Sequence, residues 1–145
     1  NELYLYIAGD GERKKILKKM IVEKKLENNI FLLGHCENIF PLIKNSSVVI
    51  STSLWEDPGA VMIEAAYCNK MVISSNCPNG PEEFLENGKG GYLFKNNCPK
   101  DLQDKINLFL NDNSEEKFKK TVILKKNSKK YSLFCHYQKL NKILS

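Results

Sequence analysis

Apolar residues fall into two kinds of pattern along the chain. Short, nearly continuous runs stand at Leu3–Ala8, Asn29–Leu33, Ser47–Ile50, Met71–Ser74 and Gly90–Phe94. Each is closed by glycine, proline or small polar residues, as at Gly9-Asp10-Gly11 and Gly34. Such runs predict buried strands ending in tight turns. Between them the apolar positions recur at helical spacing. Ile16, Leu17, Met20, Ile21 and Leu26 predict an amphipathic surface helix over residues 12–27. Further helices are predicted over 38–45, over 59–67 (alanine-rich and therefore buried) and from Pro81 to Glu86, where proline suits a first helical turn. From Pro99 onward the pattern is helical in two or three pieces.

Strands thus alternate with helices before a helical tail, and the strands are continuous rather than alternating. This predicts an α/β fold, a Rossmann-like parallel sheet with helices on both faces. Ligands in such folds bind outside the carboxyl ends of the strands. The loops of interest are then 9–11, 34–38, 51–59 and 75–81. The length, 145 residues, suits a single domain, with a core over about 1–97 and a tail over 98–145.

Composition narrows the class. The chain is 42% hydrophobic and 27% charged, which is globular, and no apolar run approaches a membrane span. Glu2 and the early strand-like run argue against a signal peptide, and a first residue other than Met fits a piece of a longer polypeptide. Five widely spaced cysteines without a Cys-x-x-Cys pair, beside two histidines, argue against structural zinc and for a reducing, cytoplasmic setting.

Charge is uneven. Residues 1–114 carry thirteen basic and fifteen acidic groups, whereas residues 115–145 carry nine lysines and two glutamates. The tail is therefore +7, with no acid after Glu116. An anionic membrane surface and plain solvated helix faces both fit this tail. Nucleic acid fits poorly, because Arg13 is the only arginine.

Gly9-Asp10-Gly11 begins like a dinucleotide fingerprint, but Lys14 stands where the third glycine belongs, so no NAD site is expected. The segment 51–64 is more informative. Glu56 precedes a helix start at Gly59-Ala60-Val61, and Glu64 follows within that helix. The free amides of the helix start and its dipole suit a phosphate, and Gly59 permits close approach. Flanking carboxylates suit the vicinal hydroxyls of a nucleotide sugar. Each such contact is worth roughly 1.5–3 kcal/mol. An acid near a helix start is also favourable with no ligand at all. Trp55 reads as a core anchor in preference to a stacking platform.

Four segments resemble one family in the right order: Ile7–Gly11, Ile30–Gly34, Glu56 to Glu64 with Ala65-Ala66 after it, and Pro81-Glu82-Glu83 on to Gly88 and Gly91. The chain resembles the C-terminal, donor-binding domain of a GT-B glycosyltransferase of the family-4 retaining type. The form Asn76-Cys77-Pro78-Asn79-Gly80-Pro81 resembles bacterial members that build surface polysaccharides and lipid-linked oligosaccharides.

The resemblance implies a role for each matching residue. Glu56 matches the glutamate that contacts the donor sugar near its reacting carbon, and it is the catalytic candidate. Glu64 matches the one that holds the ribose hydroxyls. Gly59, Ala60 and Val61 match the backbone cradle for the distal phosphate and sugar, and Asp57 and Pro58 before them are further substrate-binding candidates. Gly34, His35 and Cys36 match the loop that frames the base, and Gly80 and Pro81 belong to the second donor loop. It further implies a UDP-sugar as donor, no metal and no cofactor, transfer of a hexosyl group to a glycan or lipid-linked acceptor, and work at the inner face of the membrane. The family's usual residues after the first glutamate differ from Asp57-Pro58-Gly59 here. The family's acceptor domain, and the first strand of its donor domain, fall outside these residues. A GT-B sugar-nucleotide epimerase and a non-catalytic interaction module are the competing readings.

Overall fold

A computed structural model of the chain describes residues 2–57 and 59–144. The element order is β1 (Leu5–Ala8), α1 (Lys14–Glu23), β2 (Ile30–Gly34), α2 (Phe40–Asn45), β3 (Val48–Ser51), α3 (Ala60–Tyr67), β4 (Met71–Ser75), α4 (Pro81–Phe84), β5 (Tyr92–Phe94), α5 (Pro99–Asn111), α6 (Ser114–Ser128), a 3-10 turn (Lys129–Tyr131) and α7 (Leu133–Leu144). All five expected strands form, and every pairing between them is parallel. The pairings make two sheets, however: β1-β2 and β3-β4-β5. An apolar run predicts a strand but does not name its neighbour, so the sequence suggested one sheet where the ladders form two. The chain divides into two compact units, residues 1–39 and 40–145.

In the first unit Leu5 pairs with Ile30 and Ile7 with Leu32, and the register shifts so that Ala8 meets Gly34. The rings of Tyr6 and Phe31 stack at 5.1 Å across the two strands. The helix predicted over 12–27 ends at Glu23. Lys25 has φ +54°, and Leu26 N donates to Ile21 O while Lys25 N donates to Val22 O. That is a Schellman stop with lysine in the left-handed place that glycine usually takes. The same device, with Glu86 at φ +48° and Asn87 N donating to Glu82 O, ends α4 before the predicted Glu86.

In the second unit β4 lies between β3 and β5 and is buried at all five positions. Its core joins Met71, Ile73, Tyr92, Phe94 and Phe109, with Val48, Ile50, Leu102 and Ile106 packed around them. Met62, Ala65 and Ala66 of α3 are buried, as the alanine-rich pattern predicts. Gly91 is required by close approach, because a Cβ there would stand 2.8 Å from Val72 O. The helical tail is part of this unit. Helix α5 packs on β4 and β5, and α6 packs on α3, α4 and β4. Helix α6 is capped by Asn113, whose Oδ1 accepts from Glu116 N at 2.9 Å.

Candidate donor site

The three strands of the second unit run parallel and in register, with Ser51 beside Ser74 and Ser75 beside Phe94. Their carboxyl ends therefore share one edge, and the segments leaving them build the candidate site. Serine ends two of these strands, and Ser51, Ser74 and Ser75 are all buried. Ser51 and Ser75 bond residues of the loop that follows β3.

Glu56 is half-buried in that loop. Its Oε1 accepts from Ser51 Oγ at 3.2 Å, and its own N–H donates to Pro78 O at 3.3 Å. The second bond joins the loop after β3 to the loop after β4. Gly59, with φ +87°, caps α3. A Cβ on Gly59 would stand 2.3 Å from Met62 Cε and 3.7 Å from the Glu56 carboxyl carbon. Only glycine satisfies both the backbone angle and this space. Glu56 and the amide-bearing start of α3 are thus brought together. No side chain caps α3, and Ala60 and Val61 lie in its first turn, where amides have no carbonyl partner within the helix.

Glu64 sits one turn further along α3. Its half-buried carboxylate makes no hydrogen bond or ion pair among the described residues. Asp57 is exposed on the loop, and Pro58 lies outside the described residues. Gly80, with φ +132°, precedes the buried Pro81, which opens α4. Trp55 is not a core anchor: it is 59% exposed, and Leu54 is 66% exposed. The loop turns these side chains outward because its backbone is held by polar bonds from the strand ends. A cavity of about 460 Å³ lies at the same edge, lined by Asn76, Leu93, Phe94, Lys95 and Asn96.

Gly34, His35 and Cys36 belong to the first unit. Gly34 has φ +73° and is buried, while His35 is exposed. Gly34 O accepts from Gly9 N at 2.7 Å and from Cys36 Sγ at 3.7 Å. A Cβ at Gly34 would stand 3.4 Å from Lys14 Nζ, which binds Asp10 Oδ2 at 2.8 Å. The Lys14 ammonium, helped by the Gly11 amide, holds the Asp10 carboxyl below its ordinary range. Lys14, the residue that spoils the dinucleotide fingerprint, is thus the partner of Asp10.

Sequence reasoning named Glu56, Gly59 and Glu64 as candidates and did not name Ser51, Ser75 and Asn96, whose side chains bind the loop or its glutamate. The serines left a faint trace as polar ends on apolar runs. Asn96 left none, since its bond to Leu54 O spans 42 residues. Among the described residues no three His, Cys, Asp or Glu side chains gather in a metal-binding arrangement.

Comparison with known proteins bears on this geometry. Residues 1–131 match the family model described as glycosyl transferases group 1. The chain is 36% identical over 112 residues to a Staphylococcus aureus poly(ribitol-phosphate) alpha-N-acetylglucosaminyltransferase, covering 77% of this chain and 23% of that protein. A mutant of S. aureus TarM, solved with fondaparinux, alpha-GlcNAc-glycerol and UDP, superposes with a TM-score of 0.84 at 32% identity, over 96% of this chain and 28% of that one. Anabaena HepE in complex with UDP superposes with a TM-score of 0.87 at 26% identity, over 98% of this chain and 40% of that one. The chain therefore spans about a fifth to a quarter of the length of the curated relatives it matches. With a family model covering most of its residues and the GT-B architecture in its sheets, this chain belongs to the glycosyl transferases group 1 family.

Proposed function

We propose that the chain binds the nucleotide-diphosphate sugar, in the first place a UDP-sugar, for a retaining transfer of a hexosyl group to a glycan or lipid-linked acceptor. The observation that carries this reading is the pairing of Glu56 with the open amides at Gly59–Val61, at the common edge of three parallel strands. The amides and dipole of α3 take the diphosphate, with no call on a metal or cofactor. Glu56, held by Ser51, accepts from hydroxyls of the donor sugar. Glu64, whose carboxylate is uncommitted, accepts from the ribose. In the reaction the bond from the anomeric carbon to the phosphate oxygen breaks, and an acceptor oxygen bonds to that carbon as its proton passes to the departing phosphate oxygen. The nucleoside diphosphate leaves with the bonding electrons, and the helix amides stabilise its growing charge. Relatives solved with UDP, and one with an oligosaccharide as well, support this choice of ligands.

The test is titration of the protein with UDP, GDP and ADP, followed by UDP-linked sugars. Selective binding of one nucleotide is expected, and Glu64→Ala should weaken it at least about tenfold, the value of one charge-assisted contact. Equal affinity in wild type and Glu64→Ala would return the glutamate pair to incidence and favour a non-catalytic module. Product analysis with the donor alone separates transfer from epimerisation.

Helix α7 favours a second contact, with anionic lipid at the inner face of a membrane. Leu133, Phe134 and Ile143 are 89%, 67% and 80% exposed, and the chain from Lys117 onward carries lysines but no acid. No described helix is long and apolar enough to cross a membrane. Salt-sensitive flotation with anionic vesicles is expected, and its absence would remove this reading.

A further inference from the structure

We propose that Ser75 and Asn96 are positioning residues, which set the place of Glu56 by clamping the loop that carries it. The inference rests on the donor-site reading above.

The loop 52–57 has no apolar anchor of its own, since Leu54 and Trp55 both point to solvent. It is nevertheless tied at three successive places. Ser75 Oγ donates to Ser53 O. Asn96 Nδ2 donates to Leu54 O at 3.2 Å. Glu56 N donates to Pro78 O at 3.3 Å. The first two ties come from side chains 22 and 42 residues away, one at the end of β4 and one just after β5. Three strand ends thus converge on one short loop, and Glu56 is itself one of its tied residues.

Two features mark these ties as more than loop decoration. Ser75 is fully buried, so its hydroxyl has no access to water or to a ligand. Its effect on Glu56 passes through Ser53 alone. Asn96 keeps its Oδ1 buried without a partner. A rotated amide would aim that oxygen at Leu54 O, acceptor against acceptor. The molecule tolerates an unsatisfied acceptor in order to aim the amide nitrogen at the loop. Loss of either tie frees the loop to move, and with it the carboxylate that Ser51 holds at 3.2 Å.

The effect should be confined to the sugar half of the donor. Glu64 and the start of α3 lie beyond the tied segment, so nucleotide binding should survive. The experiment is calorimetric titration of the protein produced from its native reading frame, with UDP and with UDP-N-acetylglucosamine and UDP-glucose as probes. Ser75→Ala, Asn96→Asp and Glu56→Gln should each weaken binding of the preferred UDP-sugar about fivefold, the value of one lost hydrogen bond, while leaving UDP within about twofold. The double variant Ser75→Ala/Glu56→Gln should fall well short of the product of the single effects, because both act through one carboxylate.

Equal weakening of UDP and UDP-sugar would make the ties merely structural and overturn the proposal. So would multiplicative effects in the double variant, or unchanged binding in both Ser75→Ala and Asn96→Asp. If Ser75→Ala does not fold, Asn96→Asp, at a half-buried site, carries the same comparison. Normal UDP binding lost in Glu64→Ala, with no effect from Ser75 or Asn96, would retain the donor site and reject the clamp. A wild-type protein that binds neither UDP nor UDP-sugar would overturn both.

Discussion

Val72 and Ile73 of β4 are wholly buried, whereas Leu5 and Tyr6 of β1 are 42% and 49% exposed. Both segments read as continuous apolar runs, and both form parallel strands. The difference lies in what covers them. The sheet of the second unit carries α3 and α6 against β4 and α5 against both β4 and β5. The first unit has only α1, which packs on β2 and buries no residue of its own, and Ile16, Met20 and Val22 stay about half exposed. A strand sequence permits burial on two faces, and layers on both sides supply it.

Paired truncations break or sharpen this comparison. Ile73→Ala, at a site with no exposure, should destabilise the second unit by about 3–4 kcal/mol through lost transfer energy and a cavity. Leu5→Ala should cost about 1 kcal/mol or less, since much of that side chain already meets water. Denaturant titration of both variants reads the two numbers, and equal losses would defeat the contrast.

A smaller effect concerns Tyr92, whose hydroxyl donates to Asp112 Oδ2 at 2.7 Å. Burial, with help from Asp112, raises this phenol above its ordinary range. The folded state therefore keeps its proton where the unfolded state would lose it. The stability this contributes is complete below about pH 10 and declines as pH rises beyond it. Tyr92→Phe should flatten that alkaline decline and cost about 1 kcal/mol near neutrality. An unchanged slope in melts from pH 8 to 11 would show that Tyr92 does not govern it. The gentlest probe is amide exchange: β1 and β2 should exchange faster than β4, with no substitution at all.

The same contrast explains what was readable in advance. Local patterns foretold each strand, the buried α3 and the start of α4, because they depend on neighbours within a few residues. The ends of α1 and α4 were placed too late. Lys25 and Glu86 adopt left-handed angles that propensity reserves for glycine and asparagine. At the candidate site, Glu56, Gly59 and Glu64 were legible because they share one loop and one helix. Trp55 was misplaced, since a large aromatic residue reads as core unless the backbone around it is known to be held otherwise.

By itself the sequence determined the alternation of strands and helices, the glycine before α3 and the two carboxylates around it. These follow from side-chain chemistry and short-range geometry. Tertiary structure alone decided that the strands divide into two sheets, that the helical tail covers β4, and that Ser75 and Asn96 reach the Glu56 loop. Those outcomes depend on which strand ends lie side by side, and that is set by packing across dozens of residues rather than by any local pattern.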